Sequence, residues 1–229
     1  MVTRALVPLF ALLAAPCAAG CFDVHATDLL VIDNFNDGDL LPAYPGFGVW
    51  MGYGIEPKDN PNVHCHLDTD TQDGSPDSLL LEVTVTDVLD GFQLHGGAGL
   101  VTNATMGAVD FTRYGRIAFD IKLTSGADYP LPVNALVYLE LACSTVRPES
   151  HDMILTLYVS QGVPYSGNWQ NVALSLVNFG PPQWLTEPID GGPVACLQHV
   201  DGVRFVVDEQ LADGQTGHAF LRIDNVVLE

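Results

Sequence analysis

The chain has 229 residues, 48% hydrophobic and only 16% charged, with 22 Gly and 15 Pro. That composition excludes fibrous, collagenous and disordered chains and points to a folded domain punctuated by turns. The charge is one-sided, 8 basic residues against 28 acidic ones for a formal net of −20, so nucleic acid and anionic membrane surfaces are excluded as partners.

The chain opens with a short positive segment, Met1 to Arg4, followed by an apolar run from Ala5 to Ala15 that is too short to cross a bilayer. Residues 1–20 therefore read as a signal peptide. The segment ends Ala18-Ala19-Gly20-Cys21, which resembles a bacterial lipobox, although Ala18 stands where Leu or Val is usual. The resemblance implies lipidation of Cys21, a linker over residues 21–28, one domain over 29–229, and a lipoprotein of the outer membrane, cell surface or periplasm. Plain secretion is the alternative. Any membrane contact is expected only through the lipid.

In chain order, strands are expected over 29–35, 49–53, 79–85, 117–123, 133–141, 153–160, 169–177, 203–207 and 219–228. The clearest are Leu79-x-Leu81-x-Val83-x-Val85 and Ile117-x-Phe119-x-Ile121-x-Leu123, where every second residue is apolar and one face is dry. Turn signals separate them: Asp37-Gly38, Asp73-Gly74, Asp90-Gly91, Ser125-Gly126, Asp190-Gly191 and Asp213-Gly214. No helical period of useful length is present. About ten strands with short connections predict an all-β fold, a two-sheet antiparallel jelly-roll β-sandwich.

Export places Cys65, Cys143 and Cys196 in an oxidising compartment. Cys143 shares the inward parity of Val137, Leu139 and Leu141, and Cys196 precedes another strand. A Cys143–Cys196 disulfide is expected, closing a loop of roughly fifty residues and contributing about 4 kcal/mol. Cys65 is the odd thiol. It lies in His64-Cys65-His66, but strand alternation sends the two His to one side and the Cys to the other, so an edge strand or loop is expected there rather than a zinc site.

Several short segments, taken in order, resemble a known family: Val31-Ile32-Asp33-Asn34-Phe35-Asn36-Asp37-Gly38, then Trp50, Asp77-Ser78-Leu79, Asp110-Phe111-Thr112-Arg113-Tyr114-Gly115-Arg116, Asn168-Trp169-Gln170-Asn171-Val172 and Leu221-Arg222-Ile223-Asp224-Asn225-Val226. The order is similar to the galactose-binding-like jelly rolls that include many carbohydrate-binding modules, of the family eleven type or the related assembly-factor type. The resemblance implies that the first and last strands lie side by side. It also implies a structural calcium near them, for which Asn36, Asp37, Asp39 and Asp224 supply candidate oxygens; Asn36 stands where Glu is common. The acidic run Asp68 to Asp77 departs from calcium-loop spacing and reads as a solvated turn.

A pyranose presents an apolar face and a rim of hydroxyls, so sugar recognition needs aromatic platforms beside polar side chains. If alternate residues of strands 133–141 and 153–160 face the core, Asn134, Tyr138, Glu140 and Tyr158 point outward, and with Arg204 or Asp120 they form the expected sugar face. Trp50, Tyr53 and Trp184 are loop-borne alternatives, and Trp169 is expected in the core because it begins an alternating strand. The many carboxylates single out no glycosidase pair, and no nucleophile elbow, zinc helix or phosphate loop is present. The expectation is a non-catalytic module that binds a polysaccharide or glycan. A structural or adhesive lipoprotein with an envelope-protein partner is the alternative, and a secreted hydrolase ranks below both.

Overall fold

The computed structural model describes residues 29–54, 63–86, 96–102, 107–126, 136–143, 156–158, 163–164, 167–181, 191–208 and 216–229. The signal segment, Cys21, Asn134 and Trp184 lie outside the described residues. In chain order the strands are β1 Leu30–Asp33, β2 Phe47–Gly54, β3 Val63–Asp68, β4 Ser78–Thr86, β5 Gly96–Thr102, β6 Arg116–Ser125, β7 Leu136–Ala142, β8 Thr156–Tyr158, β9 Val163–Pro164, β10 Gln170–Ser175, β11 Gly202–Asp208 and β12 Thr216–Leu228. A short α-helix, α1, spans Gly192–Leu197.

These strands form two antiparallel sheets. The first runs β10-β6-β12-β4-β3 with β1 beside β12, and the second runs β2-β5-β11-β7-β8 with β9 beside β7. The expected all-β sandwich is the observed architecture. Its first and last strands pair, Leu30 with Leu228 and Val31 with Val227. Alternation decides what each sheet buries: Ile117, Phe119, Ile121 and Leu123 of β6 face Leu139, Leu141, Val203 and Phe205 of the second sheet within one core. Aromatic rings bridge the layers, with Phe119 edge-on to Phe205 at 4.9 Å, and Phe205 and Phe35 at 6.2 and 5.7 Å from Trp50.

The Cys143–Cys196 disulfide forms as expected, tying the end of β7 to α1. Cys65 is a free thiol packed against the core, with His64 and His66 exposed on the opposite side of β3. Burial pushes that thiol up to about 12, so it is neutral at physiological pH.

β5 carries no hydropathy signal of the kind used to find the others, with glycine at 96, 97 and 99; its pairing partners make it a strand, which is long-range information. β3 alternates Val63, Cys65 and Leu67 with His64, His66 and Asp68 and is an edge strand.

Candidate functional site

On β7, Val137, Leu139 and Leu141 point into the core, which puts Tyr138 and Glu140 on the outer face of the second sheet. Register then sets their neighbours. Arg204 lies opposite Glu140 and Val206 opposite Tyr138, while Glu140 also pairs with Tyr158 of β8. Four of the expected sugar-face residues, Tyr138, Glu140, Tyr158 and Arg204, thus occupy two adjacent rows of one face.

Arg204 Nη1 stands 3.8 Å from Glu140 Oε2, and the two side chains are 14% and 6% exposed. The pair is therefore recessed into the face. Excluding water strengthens the attraction between the two charges, although drawing them out of water costs a comparable amount.

The same two rows continue onto β5 and β2, where Gly99 lies opposite Arg204 and Met51, and Gly97 opposite Val206 and Tyr53. One row reads Met51, Gly99, Arg204, Glu140, Tyr158; the next reads Tyr53, Gly97, Val206, Tyr138. In these two rows β5 carries only glycine, so its backbone forms the floor between flanking strands about 10 Å apart. Sequence reasoning misses this floor because glycine carries no side chain to give a hydropathy alternation. The Gly-x-Gly spacing of Gly97 and Gly99, which puts both on one face of a strand, is the available signal.

Asp120 does not belong to this face. It sits on β6 of the first sheet, where its carboxylate accepts hydrogen bonds from Asn171 Nδ2 at 2.9 Å and Asn225 Nδ2 at 3.0 Å. Its outward parity was read correctly, but the sheet to which β6 belongs is decided by pairing with β10 and β12, distant in sequence.

Trp50 and Trp169 exchange their expected roles. Trp50 is 1% exposed, with its indole Nε1 donating to buried Asp33 at 2.6 Å. Trp169 is half-buried and donates to Asp70 Oδ1 at 3.0 Å. The physical reason is parity: Val172 and Leu174 of β10 lie opposite Phe119 and Ile117 and fill the inward positions, leaving Trp169 in step with outward Asn171 and Ala173.

The acidic run from Asp68 to Asp77 is a solvated turn only in part: Gln72, Asp73 and Gly74 are exposed, but its first carboxylates are tied down. Asp68 accepts from Arg222 Nε at 2.7 Å, and Asp70 accepts from Lys122 Nζ at 2.6 Å. The segment thereby reaches from the edge strand β3 across to β12 and β6. Desolvation alone would raise the Asp70 carboxyl, but hydrogen bonds from Lys122 and Trp169 and the charges of Lys122 and Arg222 outweigh it and hold the group below its ordinary range.

Among the residues expected near a calcium, Asp37 and Asp39 each accept from a nearby backbone amide, of Asp39 and Leu41, and the Asn36 amide donates to Asn34 Oδ1. Asp224 accepts from the Asn225 amide at 2.8 Å and from Ser75 Oγ at 3.2 Å. These are hard oxygen donors, the chemistry calcium takes. Among the described residues, however, no three His, Cys, Asp or Glu side chains are grouped to hold a metal ion, so calcium would have to draw Asp37, Asp39 and Asp224 together. Burial pushes both Asp33 and Asp224 up to about 6, against the opposing pull of their hydrogen bonds.

No protein-family model matches the chain, and no curated protein is similar to it in sequence. Solved structures do match. The family 11 carbohydrate-binding module of a cellulosomal cellulase of Clostridium thermocellum aligns with 88% of this chain and 94% of its own, at a TM-score of 0.57 and 16% identity. A second structure of a family 11 module from that organism, in complex with a β-1,3-1,4-mixed-linked tetrasaccharide, aligns with 87% of this chain and 94% of its own, at a TM-score of 0.54 and 16% identity. The chain has the β-sandwich fold of these modules.

Proposed function

We propose that the chain is a non-catalytic carbohydrate-binding module, exported through its signal segment and anchored by a lipid on Cys21, whose ligand face is the outer face of the second sheet. The observation that carries this reading is the glycine floor bordered by Arg204 and Val206, with Tyr138, Glu140 and Tyr158 in the same two rows. A flat backbone floor accepts the apolar face of a sugar, a tyrosine provides a rigid amphipathic platform, and an arginine–carboxylate pair offers donors and acceptors to the hydroxyl rim. The shared fold with family 11 modules supports the reading. Asn134, at the start of the segment leading into β7, is proposed as a further contact, and calcium recruited by Asn36, Asp37, Asp39 and Asp224 as the structural ion.

The test is binding of the purified protein to mixed-linked β-1,3-1,4-glucan, xylan, galactan and an acidic polysaccharide, with Tyr138→Ala and Arg204→Ala alongside. Saturable binding weakened at least tenfold in both folded variants supports the reading. Exposed Leu41, Val49 and Met51, on or next to edge strand β2, favour the envelope-protein reading if no glycan binds.

A further inference from the structure

We infer that the outer face of the first sheet carries a second glycan-contacting site built on Trp169. The inference rests on the carbohydrate-binding reading above but concerns the opposite side of the sandwich. Residues facing outward from a solvated sheet are expected to be polar, yet this face holds two large rings, Trp169 before β10 and Phe220 on the central strand β12, both half-buried. Extending the register of β10 with β6 puts Trp169 opposite Lys122, which pairs with Arg222. Phe220 lies two residues further along β12 and packs against His218 at a ring separation of 4.5 Å. The two rings are thus separated by two strand spacings and one row, on one face.

The indole is held in place. Its Nε1 is fixed to Asp70, and Asp70 is fixed by Lys122 at 2.6 Å and Arg222 at 3.5 Å. An aromatic ring whose own donor is already satisfied and whose orientation is locked by an ion-pair network loses little entropy when a ligand stacks on it. Around the ring stand groups with hydrogen-bonding capacity beyond their present bonds. Lys122 has three donors, the Asp70 carboxylate has lone pairs left over, and the exposed Asn171 amide uses one hydrogen on Asp120 and keeps its carbonyl. A ring rimmed by such groups is what a pyranose needs. The ionised groups among them are paired with one another, so the site selects a neutral glycan chain over an acidic one.

A purely structural Trp169 would serve only to cover the Asp70 network. The two roles separate in a titration of the wild-type protein with soluble mixed-linked β-1,3-1,4-glucan, xylan and galactan and their oligosaccharides. The readouts are the indole N–H NMR signals and the calorimetric stoichiometry, and Trp169→Phe serves for assignment. The expected result is more than one oligosaccharide per chain, movement of the Trp169 indole signal, and residual binding in Tyr138→Ala that Trp169→Ala or Phe220→Ala removes. Polysaccharide affinity should fall about tenfold on loss of Trp169. A single oligosaccharide per chain, with an unmoved Trp169 signal and all binding lost in Tyr138→Ala, overturns the second site and leaves the first. Binding that depends on Trp169 alone supports this site and overturns the placement on the second sheet. No binding of any of these glycans by the folded wild-type protein overturns both.

Discussion

Asp33 is placed where few carboxylates are found: fully buried, one oxygen on the Trp50 indole and the other on the Phe35 amide at 2.9 Å. Phe35 itself has φ of +52°, a left-handed backbone that costs a bulky residue about 1–2 kcal/mol. The hydrogen bond to Asp33 and the packing of the ring on Trp50 hold it there. With Asp33 and Asp224 both pushed up to about 6, the folded chain binds protons more tightly than the unfolded one, where these groups titrate near 4. Their contribution to stability is fully present below pH 4 and is lost as pH rises through 6, up to about 3 kcal/mol for each group. Tm should therefore rise as pH is lowered from 7 to 5. Asp33→Asn should flatten that rise, which separates the effect from general relief of the negative net charge; a Tm that falls toward pH 5 contradicts the assignment. The position of Asp33 is legible from its place at the end of the first strand, but its indole partner is not, because that bond joins residues brought together only by the fold.

At the scale of elements, alternation was a sound guide wherever strands are apolar on one face: β4, β6, β11 and β12 lie where the pattern put them. It failed in two informative places. Alternation fixes which residues share a face but not which sheet a strand joins, so Tyr138, Glu140 and Arg204 were grouped correctly while Asp120 was assigned to the wrong surface. Trp169 is expected in the core as the first residue of an alternating stretch, but it stands just before β10, in step with outward Asn171 and Ala173. The disulfide was legible, since Cys143 continues the inward parity of β7. Cys143→Ala with Cys196→Ala should lower stability by about 4 kcal/mol in chemical denaturation, the loop-closure estimate for this spacing; an unchanged midpoint contradicts a structural role. The glycine floor gives a second prediction for an element. Gly99→Val adds bulk to this floor beside Arg204 and should lower glycan affinity at least tenfold with Tm little changed. Retained affinity would show that the ligand does not lie over β5.

For the whole molecule, charge restricts the ligand. Of the eight basic residues, Arg116, Lys122, Arg204 and Arg222 are all engaged with carboxylates. The remaining field is that of a strongly acidic protein, which repels anionic glycans over the Debye length of about 8 Å at physiological salt. The account therefore expects a neutral polysaccharide. Calcium is tested at this scale too: drawing Asp37, Asp39 and Asp224 around one ion should raise Tm in millimolar calcium and lower it again with chelator, and a Tm indifferent to both removes calcium from the account.

The measurement that bears most directly on the central claim is calorimetric binding of the purified protein to neutral and acidic polysaccharides, comparing wild type with Tyr138→Ala. The account predicts saturable binding to a neutral glycan, none to the acidic one, and at least a tenfold loss of affinity in the folded variant. Absence of binding to every glycan by a protein shown to be folded, or binding indifferent to Tyr138, contradicts it.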